Sequence, residues 1–257
     1  MTRVTVENLW KSYGDQTVLE NVSFETEPGS FISLVGPSGC GKSTFLRMML
    51  GDEAPSKGRI LIDGVALEPE PSPDRGVVFQ KYSVFPHLTA LQNVMLGLEF
   101  AASPVAARLF GRARRRARAA SLDMLKCVGL EQSAHKYPSE LSGGMQQRLA
   151  IAQALIKKPK ILLLDEPFGA LDPGIRAEVH EIMLRLWRDE GMTIFMVTHD
   201  LSEAFKLGTR VIAFDRRRTR PEELKAYGAT VTFDLKVDGK TVPPRPEAPA
   251  PLAAAAK

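Results

Sequence analysis

Phe31-Ile32-Ser33-Leu34-Val35-Gly36-Pro37-Ser38-Gly39-Cys40-Gly41-Lys42-Ser43-Thr44 decides the fold of this chain. The apolar run Phe31 to Val35 reads as a buried strand ending at Gly36, and Ser43 to Leu50 reads as a helix. Between them lies a loop whose glycines Gly36, Gly39 and Gly41 let backbone N–H groups close around phosphate oxygens. Pro37, Ser38 and Cys40 take the free positions of the loop. Lys42 neutralises phosphate charge, Ser43 offers a hydroxyl to Mg²⁺, and Thr44 follows as the helix begins. A purely structural glycine turn is the blander alternative.

About a hundred residues downstream stands Leu141-Ser142-Gly143-Gly144-Met145-Gln146-Gln147-Arg148. This second glycine-rich turn begins with a hydroxyl residue just before a helical stretch from Met145 to Ile156. It presents free amides at a helix N-terminus, where anions bind. The chain therefore carries two phosphate-binding surfaces.

The composition is that of an ordinary soluble globular protein of 257 residues, 44% apolar and 25% charged. No apolar stretch reaches the roughly eighteen residues needed to span a bilayer, and the N-terminus has no signal-peptide core. The chain is expected to stay in the cytoplasm unless a partner holds it elsewhere. The net charge of +4 is unevenly spread, because Arg108, Arg112, Arg114, Arg115, Arg116 and Arg118 cluster together. Such a cluster suits anionic lipid, nucleic acid or an acidic partner loop, a solvated helix face being the blander reading. The two cysteines, Cys40 and Cys127, build no disulfide framework and no zinc spacing. Cys40 reads as a space-filler that makes the loop sensitive to thiol reagents.

Strands are expected at 4–6, 18–24, 31–35, 59–62 and 76–79, with turns at Gly14-Asp15, Pro28-Gly29 and Asp63-Gly64. This half reads as mixed sheet around one nucleotide loop. From about Lys81 to Leu141 the periodicity turns helical, with Leu88, Leu91, Val94, Met95 and Leu98 spaced for one buried face. Strands return at 161–164, 193–197 and 211–214, with a helix from Gly174 to Arg188. A helical subdomain, about residues 81–158, inserted on one side of an α/β nucleotide domain accounts for this order. The domain is expected to span 1–240, and the Pro/Ala-rich segment 241–257 to be a disordered tail.

Lys160-Ile161-Leu162-Leu163-Leu164-Asp165-Glu166-Pro167 is a run of apolar residues ending in two acids. Such a run suits a strand buried on both faces of a parallel sheet, whose carboxyl end faces the ligand crevice. Asp165 there can hold Mg²⁺ as the acidic partner of Ser43, and Glu166 can act as general base on the attacking water. Gln80 follows the strand 76–79, and His199 follows the strand 193–198, so both reach the same sheet edge. The neutral amide of Gln80 suits a γ-phosphate sensor that orients the attacking water and joins Ser43 and Asp165 as a candidate Mg²⁺ ligand. His199 is placed to bond the γ-phosphate. The candidate catalytic set is Glu166, His199, Gln80 and Lys42.

Together these motifs resemble the ATP-binding subunit of an ABC transporter, over roughly residues 2 to 215. The resemblance implies a P-loop NTPase core with an N-terminal antiparallel β subdomain and an inserted α-helical subdomain. It implies that Tyr13 stacks on adenine, that Gln80 belongs to the Q-loop, Leu141 to Gln147 to the signature, Leu171-Asp172 to the D-loop and His199 to the switch. It also implies a head-to-tail homodimer in which Ser142, Gly143 and Gly144 of one subunit clamp the ATP bound at Lys42 of the other, with Asp172 nearby. The implied partners are an integral membrane permease, met through residues 82–91, and indirectly a solute-binding protein, at the cytoplasmic face of the inner membrane. Glu166-Pro167-Phe168-Gly169-Ala170-Leu171-Asp172 is similar to the importer branch, nearest to its nitrate, taurine and sulfonate group. Ser83-Val84-Phe85-Pro86-His87 departs from that group in lacking a tryptophan. The competing class is a soluble ABC ATPase acting on nucleic acid or the ribosome. That type carries two such domains or a long coiled coil, which this chain lacks, so no nucleic acid is expected.

Overall fold

The computed structural model describes residues 1–79, 84–102, 109–217, 227–237 and 239–240. The chain opens with a hairpin of β1 (Val4–Tyr13) and β2 (Gln16–Glu25), closed by Gly14-Asp15. β3 (Phe31–Val35) runs into the glycine loop and then α1 (Lys42–Leu50). A second hairpin, β4 (Lys57–Ile62) and β5 (Val65–Ala66), turns on Asp63 and Gly64, both with positive φ as an Asp-Gly hairpin turn requires. β6 (Arg75–Val78) follows, then the helices α2 (Ala90–Ala102), α3 (Gly111–Cys127) and α4 (Gly143–Leu155). The remainder is β7 (Ile161–Asp165), α5 (Pro173–Glu190), β8 (Thr193–Val197), α6 (Leu201–Leu207), β9 (Arg210–Asp215) and β10 (Thr230–Lys236).

These strands form two sheets, so the N-terminal antiparallel subdomain that the resemblance implies stands apart from the sheet that carries the glycine loop. β2-β1-β4-β5 is antiparallel throughout. The second sheet has the order β10-β9-β3-β8-β7-β6, parallel except where β10 meets β9. Helical connections return each strand to the same end of this sheet, so the carboxyl ends of β3, β6, β7 and β8 converge. That convergence positions the site.

The parallel strands are continuously apolar because both faces are covered. Ile161 and Leu163 of β7 point into one hydrophobic cluster, and Leu162 and Leu164 into another. The first cluster lies between the two sheets around α1. There Phe45 meets Phe24, Phe195 and Phe214 at ring-centroid distances of 5.7, 6.0 and 5.6 Å. Such pairs add about 0.5–1.5 kcal/mol each beyond the area they bury. Phe45 therefore pins the helix that carries the phosphate loop. On the other face, Phe31 and Trp187 pack edge to face at 5.8 Å, and Trp187 Nε1 donates to the Gly29 carbonyl at 2.9 Å.

β10 has no counterpart in the sequence reading. Val231, Phe233 and Leu235 do alternate, but Phe233 and Leu235 are 66% and 49% exposed, so the strand adds an edge without a buried face of its own. Just before β10 the chain pairs with β2, as Ala229 exchanges backbone bonds with Val18 and Glu20 and ties the two sheets together. The expected tail 241–257 lies outside the described residues.

Candidate nucleotide site

The glycine loop joins β3 to α1 as the sequence predicts, and its backbone explains two of its glycines. Gly36 has φ 146°, and a Cβ there would stand 2.0 Å from the Phe214 carbonyl oxygen. Gly41 has φ 90° at the N-cap of α1, where a Cβ would meet the Leu19 side chain at 2.7 Å. Neither position accepts another residue without moving the backbone. Pro37, Ser38 and Gly39 are exposed along the loop, whereas Cys40, Gly41 and Lys42 are buried.

Lys42 Nζ donates to the carbonyl oxygens of Gly36 and Pro37 at 2.7 and 2.9 Å, so its ammonium is held inside the curl of the loop. Ser43 Oγ donates to Asp165 Oδ1 at 3.1 Å across the ends of β3 and β7. This oxygen pair fits a hard cation that keeps its other positions for phosphates and water. Burial raises the Asp165 pKa, the Ser43 hydrogen bond lowers it, and the neighbouring Glu166 charge raises it further. A carboxylate held in this way gains from a cation.

Glu166 follows at the end of β7 with φ 46°, a left-handed conformation uncommon for a residue with a side chain. Its backbone N–H donates to the Val197 carbonyl at 3.0 Å. Its carboxylate Oε2 lies 3.3 Å from His199 Nδ1. The two residues predicted from separate strand ends are thus neighbours. Gln80, the fourth member of the candidate catalytic set, lies outside the described residues, as do 82 and 83 of the expected permease-contact segment.

Burial overturns one expectation. Cys40 is only 2% exposed, and burial raises its thiol pKa. A buried, protonated thiol is inert, so the loop is not made sensitive to thiol reagents by this residue. Its position in the loop carried no information about burial.

The ABC transporter family model matches residues 19–169, which include the loop, the signature turn and the two acids. The chain belongs to the ABC transporter family. Among the curated relatives of this ABC cassette is a bicarbonate transport ATP-binding protein of Synechocystis, 43% identical over 81% of this chain and 73% of its own length. A ferric-ion import ATP-binding protein of Brucella abortus is 44% identical over 93% of this chain and 67% of its own. A nitrate import ATP-binding protein of Synechococcus elongatus is 46% identical over 77% of this chain and 29% of its own. A dimeric ATP-binding cassette solved in a post-hydrolysis state with ADP and Pi has TM-score 0.73 and 32% identity, covering 92% of this chain and all of that one. The expected fold, a nucleotide-binding α/β core with an antiparallel β subdomain and a helical region, is therefore the observed one, and the cassette is an ATP hydrolase.

The signature turn lies at the start of α4. Ser142 is its N-cap, and Ser142 Oγ accepts from the Met145 N–H at 3.3 Å, so this hydroxyl organises its own helix. Gly144 is buried against α5, and a Cβ there would stand 2.2 Å from Ile175 Cγ2. Asp172 is exposed at the N-cap of α5, next to Pro173.

Tyr13 is 46% exposed at the end of β1 and carries Lys11 Nζ 4.9 Å from its ring centroid. Its hydroxyl donates to Glu53, whose carboxylate also receives Lys11 at 3.1 Å and Arg47 at 3.4 Å. Glu53 is thus a residue of the site surround that sequence reasoning missed, since nothing local links it to a tyrosine forty residues earlier. A second missed set lies behind the switch. His180 Nε2 is 2.9 Å from Glu203 Oε1, and Thr198 Oγ1 donates to Glu203 Oε2 at 2.5 Å, all three side chains being buried. Thr198 directly precedes His199, so this network anchors the chain at the end of β8 where His199 follows.

Proposed function

We propose that the chain binds and hydrolyses ATP to power an importer, drawing a small solute through a separate membrane permease. The observation that carries the reading is the meeting at one sheet edge of Lys42, the Ser43–Asp165 pair and the Glu166–His199 pair. Relatives named for bicarbonate transport, ferric-ion import and nitrate import support the importer branch. Within that branch the proposed cargo is of the nitrate, sulfonate and taurine kind or a related nitrogen compound, with bicarbonate and ferric iron as the competing classes that the relatives' names add.

In this reading one cassette spans residues 1–240, with its helical subdomain at about 81–158. Tyr13 stacks on adenine, residues 36–44 cradle the phosphates, and Glu166 takes the proton of the attacking water while Gln80 orients that water and His199 bonds the γ-phosphate. Ser43 and Asp165, joined by Gln80, would hold Mg²⁺, which neutralises phosphate charge when bound. Two subunits pack head to tail, so that Ser142, Gly143, Gly144 and Asp172 of one face the ATP of the other. The dimeric architecture of the related cassette supports this arrangement. A solute-binding protein would deliver the cargo on the far side. Among the described residues no helix is long and apolar enough to cross a membrane, which fits a peripheral subunit on the cytoplasmic face.

The test is to purify tagged Glu166→Gln protein from its own cell membranes with ATP and Mg²⁺ and to identify its companions by mass spectrometry. A multi-span permease is expected. Ribosomal proteins or nucleic acid without any membrane partner would overturn the reading.

A further inference from the structure

The nucleotide site leaves one feature of the chain unused, the outer face of α3. Its buried stripe is Ala117, Ser121 and Leu125. At 3.6 residues per turn Arg112, Arg115 and Arg116 point away from it, Arg118 lies on its flank, and Arg114 continues the line of the stripe at the exposed N-terminal end of the helix. All five are exposed. Asp123 is the only acid in the helix. Among the described residues none of the five arginines has an ion-pair partner. Arg112–Arg115, Arg112–Arg116, Arg114–Arg118 and Arg115–Arg118 are all like-charge pairs at helical neighbour spacing, which weaken an isolated helix. A face that served only solubility gains nothing from this arrangement over one with interspersed acids.

Apolar surface adjoins the charge. Phe110, the N-cap of α3, is 74% exposed. A shallow depression of about 500 Å³ beside it is lined by Leu98, Ala101, Leu109 and Ala113, with Arg116 at its margin. A second depression joins Phe110 and Arg114 to Leu88 and Gln92. The patch is therefore continuous with residues 82–91, the segment assigned above to the permease, and on that reading it stands beside the bilayer.

From this juxtaposition of five unpaired arginines, an exposed phenylalanine and an apolar depression next to the permease-contact segment, we infer that α3 docks on anionic lipid headgroups at the membrane surface. Guanidinium groups bind phosphate diesters bidentately, and an aromatic ring seats at the headgroup boundary. Each arginine near an anionic surface contributes roughly fivefold to partitioning, so the three outward ones together account for roughly a hundredfold. The contact would hold the helical subdomain level with the membrane whether or not nucleotide is bound.

The experiment sediments the purified full chain with vesicles of phosphatidylcholine alone, or with phosphatidylglycerol added, across a salt series. Wild type is expected to sediment with the anionic vesicles and to be released by salt. The Arg112→Gln/Arg115→Gln/Arg116→Gln variant should lose roughly a hundredfold in partitioning, and Phe110→Ser roughly tenfold with the salt dependence kept. Both variants should keep the wild-type thermal midpoint and ATPase rate, which shows that they fold. Equal binding to both vesicle types, no binding to either, or an unchanged triple variant would overturn the inference. So would loss of a detergent-solubilised permease complex in the triple variant, which points to an acidic protein loop, or RNA binding tighter than vesicle binding. Vesicle binding uses this chain alone and permease recovery uses the Glu166→Gln complex, so the two readings fail separately.

Discussion

Glu166 Oε2 and His199 Nδ1 lie 3.3 Å apart, joining the end of β7 to the residue just past β8. In the tautomer with its proton on Nδ1 the imidazole donates to the carboxylate and Nε2 is an acceptor; to donate to a phosphate oxygen from Nε2 as well, the ring must carry both protons as imidazolium. Glu166→Gln should therefore lower turnover by at least about a hundredfold while nucleotide affinity stays near wild type. Steady-state hydrolysis combined with nucleotide binding checks this, and a normal rate in the variant removes Glu166 from the role of general base. The same variant should elute as an ATP-stabilised dimer.

Lys42 behaves differently, because its ammonium is already seated in the loop against two carbonyls. Lys42→Ala removes a charge-assisted contact worth about 1.5–3 kcal/mol. Nucleotide affinity, measured by calorimetry, should drop about tenfold to a hundredfold. An unchanged affinity would mean that the lysine does not reach the phosphates.

Asp165 gives a pH signature. Its folded pKa is raised, first by burial, so the folded chain takes up a proton more readily than the unfolded one. The resulting destabilisation is present above the raised pKa and is relieved as pH falls through it. Asp165→Asn should thus raise the thermal midpoint of the Mg²⁺-free protein by about 2 °C near neutral pH and by less in acid. Added Mg²⁺ with nucleotide should stabilise wild type more than the variant. A lower midpoint in the variant would show the carboxylate to be well compensated where it stands.

Cys40 and Cys127 should separate cleanly in a thiol titration. Cys127 is exposed, and Cys40 is buried with a raised pKa. One thiol of the native protein should react fast, and the second only on unfolding. Rapid loss of two thiols in the native state contradicts the burial of Cys40.

Glu203 joins His180 to Thr198, the residue before His199. Glu203→Ala leaves the His180 nitrogen and the Thr198 hydroxyl without their buried partner, at a cost of about 3 kcal/mol by denaturant unfolding. Turnover should fall even at temperatures where the variant is fully folded, because His199 loses its anchored neighbour. Loss of stability with full turnover would confine the network to the fold.

The sequence reading went furthest where one local segment does one job. Residues 31–50 encode a strand, a loop and a helix in unbroken order, and the apolar runs of β7 and β8 announce strands buried on both faces. It stopped where a property belongs to distant partners. Glu53 meets Tyr13 across hairpins, and Glu203 meets His180 across two helices. Cys40 is buried by neighbours that its own segment does not contain. The start of α4 was read two residues late, because two glycines disfavour a helix locally while the Ser142 cap starts it there. Phe233 and Leu235 alternate as a strand should, yet they face solvent, so pattern alone did not separate β10 from a loop.

Gly144 leaves Ile175 no clearance, and that absence of slack has a mechanical consequence. Ile175 of α5 fills the place that a side chain at 144 would take, so a shift of the head of α4 toward α5 meets Ile175 directly. α5 is capped by Asp172, six residues beyond Glu166. On the arrangement proposed above, in which one subunit meets one nucleotide through its phosphate loop and a second through the turn at Ser142, this contact would link the two places. Losing the γ-phosphate at either site would then be felt at the other without any messenger between them.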